Sequence, residues 1–346
     1  MVLSVRSLPI PGDLTAVDAA WLSAALDANV VAVSPGNSTG GIAVTSRVAR
    51  LQLTSDPDRS APRAVVVKIA NPKWTHGCEL HEREVMFYRD FAVQHDMPAP
   101  RCYYADYDAA TGAFVLVLED VGDVVPGHRL DGLTVDEAEA FGDAMADLHR
   151  TWWGRDELGR LKVRGHDADR IARTVATFDD RWHALEACGN YAIDDDLRAA
   201  LPSVREHYAA GMHAISSRPQ TLIHSDLHVE NFFLERTPAG LRMIAIDWQN
   251  ACHGHCAFDA CYVLTSLQPR FASYRESLLA RYHARLRQPD YSIEEFHTDI
   301  AAAVRHQFIG SANWFATFEA ESLRDASTIH GHWTRLCAAV VANERC

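Results

Sequence analysis

From residue 134 to residue 320 the chain carries the 3.6-residue periodicity of packed helices almost throughout, and the stretch 221–247 breaks it. There a short apolar run, Leu222-Ile223, stops at His224-Ser225-Asp226-Leu227-His228-Val229-Glu230-Asn231. A second run, Met243-Ile244-Ala245-Ile246, then delivers Asp247. Brief apolar runs that end in acids and amides read as a core of strands and loops set among helices.

The first 120 residues have another texture. Leu14, Val17, Trp21, Leu22 and Leu26 fall near helical spacing over 14–28, and Ser34-Pro35-Gly36-Asn37-Ser38-Thr39-Gly40-Gly41 is rich in turn residues. Strands are expected at 42–53 and at the β-branched Ala64-Val65-Val66-Val67-Lys68-Ile69. A helix over 79–95 ends before Pro98 and Pro100, and strands follow at 102–106 and 113–118. Past Glu119-Asp120-Val121-Gly122-Asp123, helices are expected at 134–153, 168–188, 195–216, 257–267, 270–287 and 293–320. The expectation is an α+β protein of two lobes: a small β-rich one over 1–120 and a large, mostly helical one over 121–346.

With 346 residues, 48% of them hydrophobic, the chain can bury a large core. It has no 18-residue apolar run, and its first residues lack the apolar core of a secretion signal, so no membrane association is expected. A net charge of −13 disfavours nucleic acid and anionic surfaces as partners. The eight cysteines form no disulfide framework at their spacings, which suggests reduced thiols and a cytoplasmic location. Lysine is scarce, three against thirty arginines, and Lys68 closes a run of three valines.

A buried ammonium there needs an anion. Leu80, Glu84, Phe87 and Phe91 share one helical face, so Glu84 is a carboxylate on an apolar stripe, whereas Glu79 and Glu82 lie on other faces. A strand lysine paired with a helix glutamate can grip the α- and β-phosphates of a nucleotide; an ordinary ion pair is the alternative. Gly40 and Gly41 could let backbone N–H groups approach phosphate, though the loop matches no established phosphate-binding pattern. The strand end at Glu119 could offer main-chain groups to an adenine. The order Asp226, Asn231, Asp247 suits phosphoryl transfer. Asp226 would take the proton of a substrate hydroxyl, and Asn231 and Asp247 would supply oxygens to Mg²⁺ on the phosphates of ATP. His224 is expected to brace this loop; His228 could border the substrate but is not counted among the site residues. Asp259, opening a helix, could accept the loop's backbone N–H groups. Cys252-His253-Gly254-His255-Cys256 has several potential metal ligands, but neighbours point apart and no second pair stands nearby, so a loop beside the site is favoured over zinc. Trp314, Phe315, Phe318 and Glu319 read as core packing or as a substrate wall.

These residues resemble the aminoglycoside phosphotransferase and choline kinase superfamily, which has a protein-kinase-like fold, and within it the ecdysteroid-kinase-like branch. The likeness lies in His-x-Asp-Leu-His-x-x-Asn at 224–231, Ile-Asp-Trp-Gln at 246–249, Glu-x-x-Phe-Tyr at 84–88, Leu-Val-Leu-Glu-Asp at 116–120 and Ala-Asp-Leu-His-Arg-Thr-Trp-Trp at 146–153. It runs from about residue 20 to 320. Two departures are Ser225, where many members have Gly, and Asp-Trp-Gln in place of Asp-Phe-Gly. The resemblance implies an ATP- and Mg²⁺-dependent phosphotransferase acting on a small-molecule hydroxyl. An antibiotic, amino alcohol, sugar, nucleoside or steroid-like alcohol all remain open as acceptor. The rival readings are an inactive nucleotide-binding regulator and a protein kinase. The second is disfavoured because no Arg precedes Asp226.

Overall fold

The structure, a computed structural model, describes residues 7–36, 45–59, 61–72, 78–93, 95–122, 131–161, 168–317 and 326–344. Two compact units emerge: Met1–Val125 with Ile244–Ala251, and Pro126–Met243 with Cys252–Cys346. Among the described residues no helix is long and apolar enough to cross a membrane.

The first unit is built on α1 (Ala19–Leu26), β1 (Val30–Pro35), β2 (Ser46–Ser55), β3 (Ala64–Ala70), α2 (Cys78–Met86), β4 (Cys102–Tyr107) and β5 (Phe114–Glu119). The strands form one antiparallel sheet in the order β1-β2-β3-β5-β4. Side chains alternate across a sheet. Val65, Val67 and Ile69 of β3 and Val115 and Val117 of β5 therefore share one face, covered by Leu22 and Ala25 of α1. Lys68, opposite Leu116 and Val48 in register, belongs to the other face. The helix expected over 14–28 is split. Asp18 accepts the N–H of Trp21 and starts α1 afresh, after a 3₁₀ turn at Leu14–Ala16. β1 went unforeseen, although Val30-Val31-Ala32-Val33 is β-branched and ends at Pro35. α2 passes into a π-helical turn, Phe87–Ala92.

The second unit contains α3 (Val135–Trp152), α4 (Ala168–Cys188), α5 (Asp195–Ser217), β6 (Thr221–Ile223), β7 (Phe232–Thr237), β8 (Gly240–Ala245), β9 (Cys252–Gly254), α6 (Ala257–Ser266), α7 (Arg275–Leu286), α8 (Ile293–Thr317) and α9 (Ala326–Glu344). The last two residues of β8, Ile244 and Ala245, already belong to the first unit. α3 starts on a capping box between Thr134 and Glu137. The helix expected at 270–287 begins as a 3₁₀ turn at Pro269–Tyr274 before α7. α9 lay beyond the expected elements, yet Trp333, Leu336, Ala339 and Val340 follow helical spacing and are buried. β6 pairs with β9, setting Ile223 opposite Cys252, so the Cys252–Cys256 segment starts as a strand. Cys256 and His255 are both buried.

Candidate active site

In the first unit Lys68 meets two carboxylates. Its Nζ lies 2.9 and 2.8 Å from the two oxygens of Glu84, and 2.5 Å from Asp247 Oδ1. The Lys68 side chain is 9% exposed and that of Glu84 1%. Burial by itself would lower the lysine pKa, but Asp247 and Glu84 outweigh it and hold the ammonium above its ordinary value. Burial pushes the Glu84 carboxyl up, and the ammonium opposes it.

Asp247 has left-handed backbone, φ 63° and ψ 54°, a conformation that Asp tolerates better than most residues. Two neighbours secure it. Gln249 donates from Nε2 to Asp247 Oδ2 at 3.1 Å and accepts the Thr45 hydroxyl at 2.9 Å. Trp248 is fully buried, donates to the Ala245 carbonyl and stacks on Phe87 at 4.0 Å between centroids, 6° from parallel. Phe87 lies three residues after Glu84, so the indole ties the Asp247 turn to the helix that carries Glu84. The larger ring of Asp-Trp-Gln thus has a packing reason. Gln249 had no assigned role in the sequence, because nothing local shows which side chain will face a carboxylate.

At the end of β5, the Glu119 N–H donates to the Arg101 carbonyl at 2.8 Å, and its carboxylate accepts the Arg101 N–H at 3.1 Å. Asp120 binds Arg50. Gly40 and Gly41 lie outside the described residues.

In the second unit the loop after β6 is held from beneath. Asp259, fully buried at the start of α6, accepts the N–H groups of His224 and Ser225, each at 2.7 Å. The His149 ring bridges Asp259 Oδ2, at 3.2 Å, and the Tyr282 hydroxyl. Burial works to raise the Asp259 pKa, but the donors from His149 and His224 prevail and lower it. Ser225 has φ 72°, the region where glycine costs nothing, which accounts for the glycine common at this place among the proteins the motif resembles. His224 is buried and its Nδ1 accepts the Asp226 N–H at 3.3 Å. Asn231 closes the loop twice: its N–H donates to the His228 carbonyl and its Nδ2 to the Asp226 carbonyl, both at 2.8 Å. Because the amide nitrogen is committed, Oδ1 is the atom left to serve as a ligand. The Asp226 side chain is 35% exposed.

The sequence-derived residues therefore gather as Lys68, Glu84 and Asp247 in one unit, and Asp226 and Asn231 in the other. Of the aromatic group late in the chain, Phe315 is buried against Tyr191 and Trp333, whereas Trp314 is 40% exposed. Phe318 and Glu319 lie outside the described residues.

Solved structures with the two-lobed protein-kinase-like fold align over nearly the whole chain. One is a candidate aminoglycoside phosphotransferase from Ralstonia eutropha JMP134, 14% identical, with a TM-score of 0.61 over 96% of this chain and 98% of that one. Another is a microcompartment-associated aminopropanol kinase, 17% identical, TM-score 0.54, over 94% and 96%. A third is the GDP complex of aminoglycoside 2'-phosphotransferase-IIIa, 13% identical, TM-score 0.59, over 91% and 93%. At these identities the likeness is one of fold. No curated protein matches by sequence. Residues 50–297, most of the chain, do match the model of APH, the phosphotransferase enzyme family, and the chain belongs to that family.

Proposed function

We propose that this small-molecule phosphotransferase moves the γ-phosphate of ATP to a hydroxyl of its substrate, with Mg²⁺. The observation that carries the reading is Lys68, a buried ammonium held by Glu84 and Asp247 on a strand lined with valines. Such a lysine keeps its charge and its position, as a grip on α- and β-phosphate oxygens requires. Glu84 keeps it extended across the sheet face.

The donor set suits a hard divalent cation: a carboxylate at Asp247, and at Asn231 an amide whose nitrogen is already engaged. When bound, Mg²⁺ neutralises charge on the β- and γ-phosphates. Asp226 orients the acceptor hydroxyl and takes its proton as the oxygen attacks phosphorus. Asp259 holds the turn that presents Asp226. Main-chain groups near Glu119 and the Gly40-Gly41 loop are proposed as further contacts to the nucleotide, and the cytoplasm as the location.

The test is release of ADP from Mg-ATP, and of GDP from Mg-GTP, over kanamycin, 1-amino-2-propanol, glucose, uridine and ecdysone. ATP-dependent turnover with one acceptor is expected. Asp226→Asn should lower it at least ~10²-fold while nucleotide binding persists. Nucleotide binding without turnover on any hydroxyl would favour a regulator instead.

A further inference from the structure

We infer that His228 is a positioning residue for Asp226: its Nε2–H takes hold of Asp226 Oδ1 as substrate binds and aims the carboxylate at the acceptor hydroxyl. This rests on the reading of Asp226 as the base. Burial along the loop alternates. Leu227, Val229 and Asn231 are buried, while Asp226, His228 and Glu230 are half-buried, so these three side chains share the open side. Buried Leu227 anchors the loop between Asp226 and His228. The two hydrogen bonds from Asn231 pin the carbonyls of those same residues, which sets the spacing of their side chains.

The ring's hydrogen bonding assigns its proton. His228 Nδ1 accepts the N–H of Glu230 at 3.4 Å, so the neutral ring carries hydrogen on Nε2. Nε2 lies 4.0 Å from Asp226 Oδ1. Catalytic hydrogen bonds are often long before substrate binds and then tighten. His332 of α9 flanks the ring, with centroids 6.5 Å apart, and limits the directions in which it can swing. The Glu230 carboxylate lies at 4.0 Å on the Nδ1 side, away from Asp226. A carboxylate fixed through one oxygen is pre-aimed, and the hydrogen bond strengthens none of the nucleotide contacts. The effect therefore falls on turnover rather than on nucleotide affinity.

Two substitutions separate the ring nitrogens. His228→Asn keeps an acceptor near Nδ1 for the Glu230 N–H but has no donor at the reach of Nε2. His228→Gln places an amide NH₂ there. ADP release from Mg-ATP is measured with whichever of kanamycin, 1-amino-2-propanol, glucose, uridine and ecdysone supports it, or with water if only hydrolysis is seen. Thermal melts run alongside. His228→Asn should lower kcat about tenfold, the worth of one hydrogen bond to a charged group, with the KM for ATP nearly unchanged. His228→Gln should restore most of the loss. Full kcat in His228→Asn overturns the inference, and so does His228→Gln falling as far as His228→Asn. Either result leaves the kinase reading standing if Asp226→Asn is still impaired. If the wild type has no turnover, or Asp226→Asn loses none, the reading itself fails and the role of His228 goes with it.

Discussion

Replacing Lys68 by Met takes a cation from between two carboxylates, at 2.8 Å from Glu84 and 2.5 Å from Asp247. Breaking a buried pair costs about 3–5 kcal/mol if the remaining charge stays. Glu84 has an escape, because burial already pushes its pKa up and Lys68 is what opposes that rise. Without the lysine it folds protonated. A raised folded pKa gives stability that is complete below the unfolded glutamate value, near 4.5, and is lost as pH rises. From pH 6 to 8, Lys68→Met should thus lose up to about 2.7 kcal/mol, at about 1.4 kcal/mol per pH unit, that Lys68→Met/Glu84→Gln does not lose. Urea denaturation at pH 6, 7 and 8 reads this difference. The same melts with Mg-ATP read function. At a hundredfold excess over Kd the wild type should gain about 2.7 kcal/mol, and Lys68→Met should gain only a small part of it. Equal pH slopes in the two variants would refute the buried-carboxylate reasoning. Undiminished stabilisation of Lys68→Met by ATP would mean that the phosphate-gripping lysine is Lys73 or Lys162, both outside the described residues.

Asp259→Asn turns an NH₂ toward one of the two backbone N–H groups it now satisfies, so denaturation should show a loss of about 3 kcal/mol, and kcat should fall further than ATP affinity. Trp248→Ala opens a cavity beside Phe87 and should cost about 3–5 kcal/mol, and isothermal titration should show weakened Mg-ATP binding because the helix carrying Glu84 loses its brace. Burial lowers His255 to about 3, so the folded protein keeps this ring neutral while the unfolded chain takes a proton near pH 6.5. Its contribution is therefore lost as pH falls, by about 1.4 kcal/mol between pH 7.5 and 5.5. His255→Asn, which keeps the acceptor for the Ala257 N–H, should remove that part of the slope in paired urea melts.

Much of the site was legible because its cues are local. Three valines before Lys68 require a strand, and strand periodicity puts the amine on one face. The stripe of Leu80, Glu84, Phe87 and Phe91 singles out Glu84 among its acidic neighbours, and it is Glu84 that the ammonium meets. Asp259 could be named as a brace because a carboxylate that opens a helix soon after the loop can accept backbone N–H groups. Less legible was what depends on backbone twist. The left-handed turns at Ser225 and Asp247 have no glycine to announce them, and the break at Asp18 hides inside a continuous apolar pattern. β1 and α9 carried cues of their own, β-branching and helical spacing, which weigh little in short or Ala-rich segments.

By itself, then, the sequence determined the chemical inventory: one lysine among valines, one glutamate on an apolar face, and Asp226, Asn231 and Asp247 in order. Those follow from residue type and period. Only the tertiary structure decided which groups share a hydrogen bond. It set Gln249 against Asp247, and a residue from α6 beneath a loop 34 residues earlier. The worth of a charge or a proton depends on burial and on distances of a few ångströms, and packing between residues far apart in the chain sets both.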